Sequence, residues 1–378
     1  MKSIPYSRQH IDAADIVAVT RVLRSDWLTQ GANVDAFEQN LCRYSGAAHA
    51  AAVSSGTAAL HVACLAAGFR EGDEVIVPAN TFAATANAVV YVGAKPIFAD
   101  IDPSTGNIDT SALSALITKR TKGIIGVDFA GVPCEWKKIA AIARKHRLIV
   151  IDDASHALGA KIKEGSSWLH IGGGKYADMT TFSFHPLKSI TTGEGGAVLT
   201  NSSDLAKRLR RARSHGIDKD YEGIVKPMVE LGYNYRITDI QCALGNSQLR
   251  RLTQFIAQRQ KIDATYRRLF KGNAFFSLLS LPTGIRSSYH LFPILLRDAG
   301  KKDLIIAQLR RQGIGVQTHY MPVYWHPFYQ QLGYKRTVAP VAEDFHQREI
   351  SLPIFPGLTV TQQKHISRVL IDICQDAK

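Results

Sequence analysis

Between Ala50 and Thr200, short apolar runs alternate with helix-forming segments, and this alternation constrains the fold more than any other feature. Strands are predicted at Ala50 to Val53, Glu74 to Pro78, Lys95 to Asp100, Gly123 to Asp128 and Leu148 to Ile151. Two more follow at Met179 to Phe184 and Ala197 to Thr200. Helices fit between them at Ala58 to Gly68, Thr81 to Gly93, Ser111 to Lys119 and Glu135 to His146. Strands joined through helices form a mostly parallel sheet with helices on both faces. Ligands of such sheets sit beyond the carboxyl ends of the strands. Functional residues are therefore sought there.

The flanking regions read differently. Residues 1–30 form an arm whose helix, Ala13 to Ser25, is capped by Asp12. A second helix is predicted over Val34 to Tyr44. Residues 203–214 are helical, and Ile237 to Phe270 is a long helical passage into a second domain. That domain has strands at Tyr289 to Leu296 and Ile314 to His319, and helices at Lys301 to Gln312 and Thr361 to Cys374. A chain of 378 residues accommodates an arm (1–30), a large domain (31–250) and a smaller C-terminal α+β domain (251–378).

Composition excludes several classes. No apolar run approaches the roughly 20 residues that cross a bilayer, and the polar start is unlike a signal peptide. Cys42, Cys64, Cys134, Cys242 and Cys374 form no CxxC pair. A cytoplasmic protein is expected. The formal net charge of +14 admits a nucleic-acid partner, hence a DNA-binding regulator as a rival reading. The basic residues are dispersed, however. Their densest run, Lys207 to Arg213, has helical spacing, and no helix-turn-helix, zinc-finger or RNA-recognition pattern accompanies it. The same field would attract a pyrophosphate-bearing substrate.

Four strand-end features belong together. The first is Lys188, in TTFSFHPLKSITTGEGGA (180–197), between an apolar strand end and Gly193-Glu194-Gly195-Gly196. Desolvation there lowers an amine's pKa and suits a Schiff-base lysine; alone, the run equally describes a surface lysine in a flexible loop. The second is Ser54-Ser55-Gly56-Thr57, where a strand opens into a helix and a phosphate can bind; Ser183 could add a hydroxyl. The third is Asp153, after a wholly apolar strand, where a carboxylate needs a cationic partner. Asp152 beside it reads as an ordinary strand-end cap. The fourth is Phe82, able to stack on a flat ring. A phosphate cradle, an aromatic face, a carboxylate and a lysine together match pyridoxal 5′-phosphate (PLP), with Lys188 holding it and Asp153 keeping its ring nitrogen protonated.

Other chemistries lack their motifs. Gly172-Gly173-Gly174-Lys175 precedes Tyr176, so it is not a Walker A loop. GxSxG and HExxH are absent. The thirteen histidines show no ligand spacing, so no metal is expected; His185 and His215 read as pocket or core residues.

At this point the sequence resembles the DegT/DnrJ/EryC1/StrS sugar-nucleotide aminotransferases, PLP-dependent enzymes of fold type I, like aspartate aminotransferase. The matching segments are SSGTAAL (54–60), TFAATANAV (81–89), DDASHALG (152–159), FSFHPLKSITTGEGGA (182–197), SHGI (214–217) and NYRITDIQCALGNSQL (234–249). Pro5-Tyr6-Ser7, LTQG (28–31), GNID (106–109), VDFAG (127–131) and HLFPILL (290–296) are similar to the subgroup acting in pseudaminic acid biosynthesis. Those enzymes aminate carbon 4 of a UDP-linked 4-keto-6-deoxy-N-acetylhexosamine. Bacillosamine, perosamine or aminoarabinose precursors are the alternatives.

The resemblance implies a large domain with a mostly parallel seven-stranded sheet, L-glutamate as amino donor, and a homodimer with shared sites. It assigns catalysis to Lys188 and Asp153, and cofactor contacts to Gly56, Thr57, Phe82, His156 and Ser183. It implies that Asn234 reaches the phosphate of the neighbouring subunit. Tyr6, Asp26, Trp27, Leu28, Thr29, His319 and Tyr320 would line the sugar-nucleotide site. The lysine at 188 argues against the family's sugar dehydratases, which carry histidine there.

Overall fold

The computed structural model describes residues 3–218 and 226–376; the first two residues of the expected arm lie outside the described residues. The strands are β1 (His49–Val53), β2 (Glu74–Pro78), β3 (Lys95–Ala99), β4 (Thr121–Val127), β5 (Ile149–Asp153), β6 (Lys161–Glu164), β7 (Ser167–His170), β8 (Met179–Ser183), β9 (Gly196–Thr200), β10 (Phe276–Leu278), β11 (Ile285–Arg286), β12 (Phe292–Leu296) and β13 (Glu349–Leu352). The helices are α1 (Ala13–Leu23), α2 (Ala32–Ser45), α3 (Gly56–Ala67), α4 (Ala83–Tyr91), α5 (Trp136–His146), α6 (Ser203–Arg213), α7 (Asp239–Leu249), α8 (Leu252–Leu269), α9 (Lys302–Arg311), α10 (Pro327–Gln331), α11 (Pro340–Arg348) and α12 (Val360–Asp376).

Seven strands make one sheet in the order β1-β9-β8-β5-β4-β2-β3. Only β9 runs against the others, pairing antiparallel with both β1 and β8. Every residue of β2 and β9 is buried, as a sheet covered on both faces requires. Alternate residues feed two cores. Val75, Val77, Ile125 and Ile151 pack on one face; Ile76, Ile124 and Val150 pack on the other. The period of two puts Asp153 on the face of Ile151 and Asp152 on the face of Val150. A third core joins α8, α9, α12 and the antiparallel sheet β10-β12-β13, and Ile4 of the N-terminal segment enters it.

Four expectations need correction. Ser111 to Lys119 forms only a 3₁₀ turn over Leu113–Leu116. Its ends are taken by local side chains: Asp109 accepts from Ser111 N–H, and Thr121 accepts from Thr118 N–H. Such bonds compete with a helix. The passage Ile237 to Phe270 breaks between α7 and α8, where Arg251 is ion-paired to Asp12 and Asp15, each at 2.5 Å. Ile314 to His319 makes isolated bridges, to Ile4 and Ser351, instead of a strand. A Cβ at Gly315 would stand 2.6 Å from Tyr6 N, so this segment packs on the N-terminal arm. Asp152 caps no strand end; the only hydrogen-bond partner of its carboxyl among the described residues is Thr180, at 3.4 Å. The hairpin β6–β7 was not expected.

Candidate active site

The strand ends meet at one edge. β1 runs into Ser55 and α3, β2 into Thr81-Phe82 and α4, β5 ends on Asp153, and β8 leads through Ser183 to Lys188. Because β9 is reversed, its first residue, Gly196, pairs with both Val53 and Ser183 at that edge. A Cβ at Gly196 would lie 2.4 Å from Ser55 O, and one at Gly56 would lie 2.7 Å from Ser183 Cβ. Glycine at these two positions lets the α3 N-terminus and Ser183 close on each other.

Together they enclose a cavity of about 490 Å³. Tyr6, Gly56, Thr57, Phe82, Asp153, His156, Ser183, Lys188, His319 and Tyr320 all line it. Asn234 and Asp26 to Thr29 do not; in this chain all five are exposed. Of the two histidines read as pocket or core residues, His185 lines the cavity and His215 is exposed.

Lys188 faces this cavity with its ammonium desolvated. Burial lowers its pKa to about 8, and the Asp153 carboxylate pulls the other way. Asp153 is fixed by three donors. Thr85 Oγ1 donates to Oδ2 at 2.7 Å, and Ser155 donates to Oδ1 through Oγ at 2.6 Å and N–H at 3.2 Å. Thr85 lies in the first turn of α4, three residues after Phe82, which precedes the helix, and Ser155 closes a local turn on Asp153. Neither role was anticipated, although both spacings are visible in the sequence.

The opposite wall is aromatic. Tyr320 Oη lies 3.1 Å from His156 Nε2, and Tyr6 Oη lies 3.4 Å from His319 Nε2. Burial first, then the Lys188 charge, pushes His156 well below its usual range and His319 down to about 3. Both imidazoles are neutral. His290, 4.3 Å from the His156 ring between centroids, and Glu194 also line the cavity and were not singled out in the sequence.

PLP needs an anion site for its phosphate, an acceptor for its ring nitrogen and a face for its ring. The first N–H groups of α3 have no intrahelical partners and offer an anion site, while Ser55 Oγ caps Ala58 N at 3.0 Å. Asp153 presents a fixed acceptor for a protonated ring nitrogen. His156 Nδ1 is buried without a partner among the described residues. Phe82 is 61% exposed, its ring open to the site and 6.0 Å from that of Tyr320. The donor set fits the cofactor. Among the described residues, no group of three or more His, Cys, Asp or Glu could hold a metal ion.

The family model described as DegT/DnrJ/EryC1/StrS aminotransferase family matches residues 9–370. A Campylobacter jejuni protein named UDP-4-amino-4,6-dideoxy-N-acetyl-beta-L-altrosamine transaminase is 40% identical over 380 residues, covering 99% of this chain and 98% of the relative. The solved structure of Helicobacter pylori PseC, described as an aminotransferase involved in pseudaminic acid biosynthesis, superposes with a TM-score of 0.92 at 37% identity, covering 99% of this chain and 100% of that one. Spr1654 of Streptococcus pneumoniae in its PLP form superposes with a TM-score of 0.93 at 30% identity, over 100% of both chains.

Proposed function

The chain belongs to the DegT/DnrJ/EryC1/StrS family of PLP-dependent aminotransferases, and on that premise we propose that it moves an amino group from L-glutamate to carbon 4 of a UDP-linked 4-keto-6-deoxy-N-acetylhexosamine. The observation that carries the reaction type is the convergence of Lys188 and Asp153 on one cavity at the N-terminus of α3. The sugar is suggested by the full-length similarity to the Campylobacter jejuni transaminase.

Gly56, Thr57 and Ser183 would hold the cofactor phosphate, Phe82 one ring face, and Asp153 the ring nitrogen. Bound there, PLP supplies an electron sink that allows an amine and a ketone to be exchanged. Lys188 has two tasks. Its neutral Nζ would be the nucleophile that holds the cofactor, and it would carry a proton to and from the substrate carbon. A pKa near 8 suits both, because the amine can give or take a proton close to neutral pH. Thr85 and Ser155 stop Asp153 from turning away as charge moves.

We further propose a homodimer in which Asn234 and the segment Asp26 to Thr29 complete the partner's cavity. Their exposure supports this, as does that of Trp27, Met228, Val229 and Leu231, at 50% or more each. Mixing Lys188→Ala with Asn234→Ala subunits should restore one intact site per heterodimer. Five free thiols suit a reducing cytoplasm, and among the described residues no helix is long and apolar enough to cross a membrane.

The deciding test is amination of a panel of UDP-, dTDP- and GDP-linked 4-keto sugars with glutamate, products followed by NMR. The UDP sugar of the L-arabino series should be preferred over its C5 epimer by roughly 1–3 kcal/mol in transition-state binding, the range one methyl orientation can supply. Preference for the D-xylo epimer, or for a dTDP or GDP sugar, would overturn the substrate and leave the reaction type standing.

A further inference from the structure

A chain of polar groups leaves the cavity and ends in the core around β13. Tyr6 Oη, which lines the cavity, is 3.4 Å from His319 Nε2. His319 Nδ1 is 2.8 Å from Ser351 Oγ. Ser351 Oγ is 2.5 Å from Oε1 of Glu349, whose other oxygen accepts the His319 main-chain N–H at 2.6 Å. Glu349 and Ser351 are both 0% exposed. No solvent can rescue a mismatched donor in this chain, so its hydrogens must all run one way.

We propose that Glu349, through Ser351 and His319, sets whether Tyr6 offers the cavity a hydrogen or a lone pair. With Glu349 ionised, Ser351 donates to it and accepts from His319 Nδ1–H; the bare Nε2 then accepts the Tyr6 hydrogen, and Tyr6 turns its lone pairs to the cavity. With Glu349 neutral, Oε2 still accepts the main-chain N–H, so the acid proton sits on Oε1 and is donated to Ser351. Ser351 donates to Nδ1, Nε2–H donates to Tyr6 Oη, and the Tyr6 hydrogen points into the cavity. One proton enters at Tyr6 from the cavity and each hydrogen moves one place toward Glu349: Nε2 takes the Tyr6 hydrogen, Ser351 takes the Nδ1 hydrogen and Oε1 takes the Ser351 hydrogen, so none leaves the chain.

The charged surroundings place the change near the working pH. Burial raises Glu349 to about 8, opposed by the bonds from Ser351 and His319 N–H and by the Lys302 ammonium on α9. Asp303 acts on Lys302 in turn. Tyr6 and Tyr320 feel the Glu349 charge from the cavity side, and Arg259 of α8 opposes it at Tyr6. At neutral pH the hydroxyl is therefore a donor, matched to an acceptor oxygen of a sugar. That last step rests on the sugar-nucleotide reading; the relay itself does not. Glu349 is a positioning residue, acting through His319.

The test is ¹⁵N NMR of the histidine-labelled holoenzyme without substrate, from about pH 6.5 to about pH 9.5, a range that brackets the transition. Wild type should pass from the Nε2–H to the Nδ1–H tautomer of His319. Glu349→Gln, whose amide donates to Ser351 as the neutral acid does, should hold Nε2–H throughout. In turnover, wild-type KM for the keto sugar should rise about tenfold across the same range with kcat little changed, the loss of one well-placed hydrogen bond, while Glu349→Gln stays flat. A single His319 tautomer across the range in wild type overturns the relay, whether or not the variant folds. A switching tautomer with a flat KM overturns the contact of Tyr6 with the sugar. A switching tautomer in a protein that aminates none of the sugars overturns the functional reading instead.

Discussion

Asp152 and Asp153 are adjacent, equally buried at 3% and 4% exposure, and chemically opposite. β5 sends them to different faces of the sheet. Asp153 meets Thr85 and Ser155, which supply three hydrogen bonds, and faces Lys188 across the cavity. Asp152 has Thr180 alone, at 3.4 Å, and its Oδ1 has no partner among the described residues. Burial, then the charges of Asp128 and Asp153, push its carboxyl well above the usual range. Asp128, two residues along the neighbouring strand from Gly126, which pairs with Asp152, is itself raised to about 7 by burial. Burial is the same for the two strand-end carboxyls, but the supply of donors differs across the thickness of one sheet.

The largest expected effect breaks this pair apart. Asp153→Asn should keep the cofactor, because the phosphate cradle and Phe82 are untouched, yet lower single-turnover amination on the order of 10³-fold, the scale of losing a preorganised charge at a reacting group. Asp152→Asn, an amide in place of a neutral acid, should stay within about threefold of wild type by the same reasoning. Cofactor retention is read by absorbance before the rates are compared. If Asp152→Asn proved the more damaging, the two faces would have been assigned the wrong way round.

The sequence makes one face easier to read than the other. Lys188, Asp153, Gly56 and Phe82 are legible because each stands at a strand end and the strands declare themselves by apolar runs. The fixation of Asp153 is partly legible: Ser155 is a local turn partner, but Thr85 matters only once α4 is laid beside β5. Tyr6 meets His319 across 313 residues, and no local pattern announces it. Glu349 and Ser351 sit in an otherwise apolar strand and would pass for edge residues. On the other face, Asp128 belongs to the subgroup-like segment VDFAG (127–131), and it accepts from Cys134 N–H and Trp136 Nε1, at 2.8 and 2.9 Å, which pins the start of α5. The hairpin β6–β7 is legible in KIKEGSSWLH (161–170), an alternating run around a glycine turn. The helix expected at Ser111 to Lys119 gives way to side chains that bond its ends locally, which apolar periodicity does not reveal.

A second prediction sharpens the contrast through Lys188. The apoprotein should capture PLP covalently faster as pH rises, levelling off above about 8, where Nζ is neutral. Borohydride trapping and peptide mapping should place the label on Lys188. Asp153 raises the Lys188 pKa, so Asp153→Asn should move the midpoint of this profile to lower pH, while Asp152→Asn leaves it in place. Equal shifts in both variants would mean that the Asp152 charge reaches the cavity after all.

The smallest effect is in stability, and it isolates Asp152. Its folded-state pKa lies above the ordinary 3.8, so from about pH 4 upward the folded protein holds a proton that the unfolded chain has released. A group raised in this sense contributes stability that is fully present below the unfolded pKa and is lost as pH rises toward the folded value, at up to about 1.4 kcal/mol per pH unit. Asn at 152 does not titrate and has no such slope. Thermal melts of apo wild type and apo Asp152→Asn should therefore show wild type losing ground as pH rises from about 4 toward the folded value, a change of a few degrees in Tm for a chain of this size. A difference in Tm that stays constant over that window would mean that Asp152 is ionised in the fold. The two carboxyls would then differ only in direction, and donor supply would no longer explain why one of them serves the cofactor.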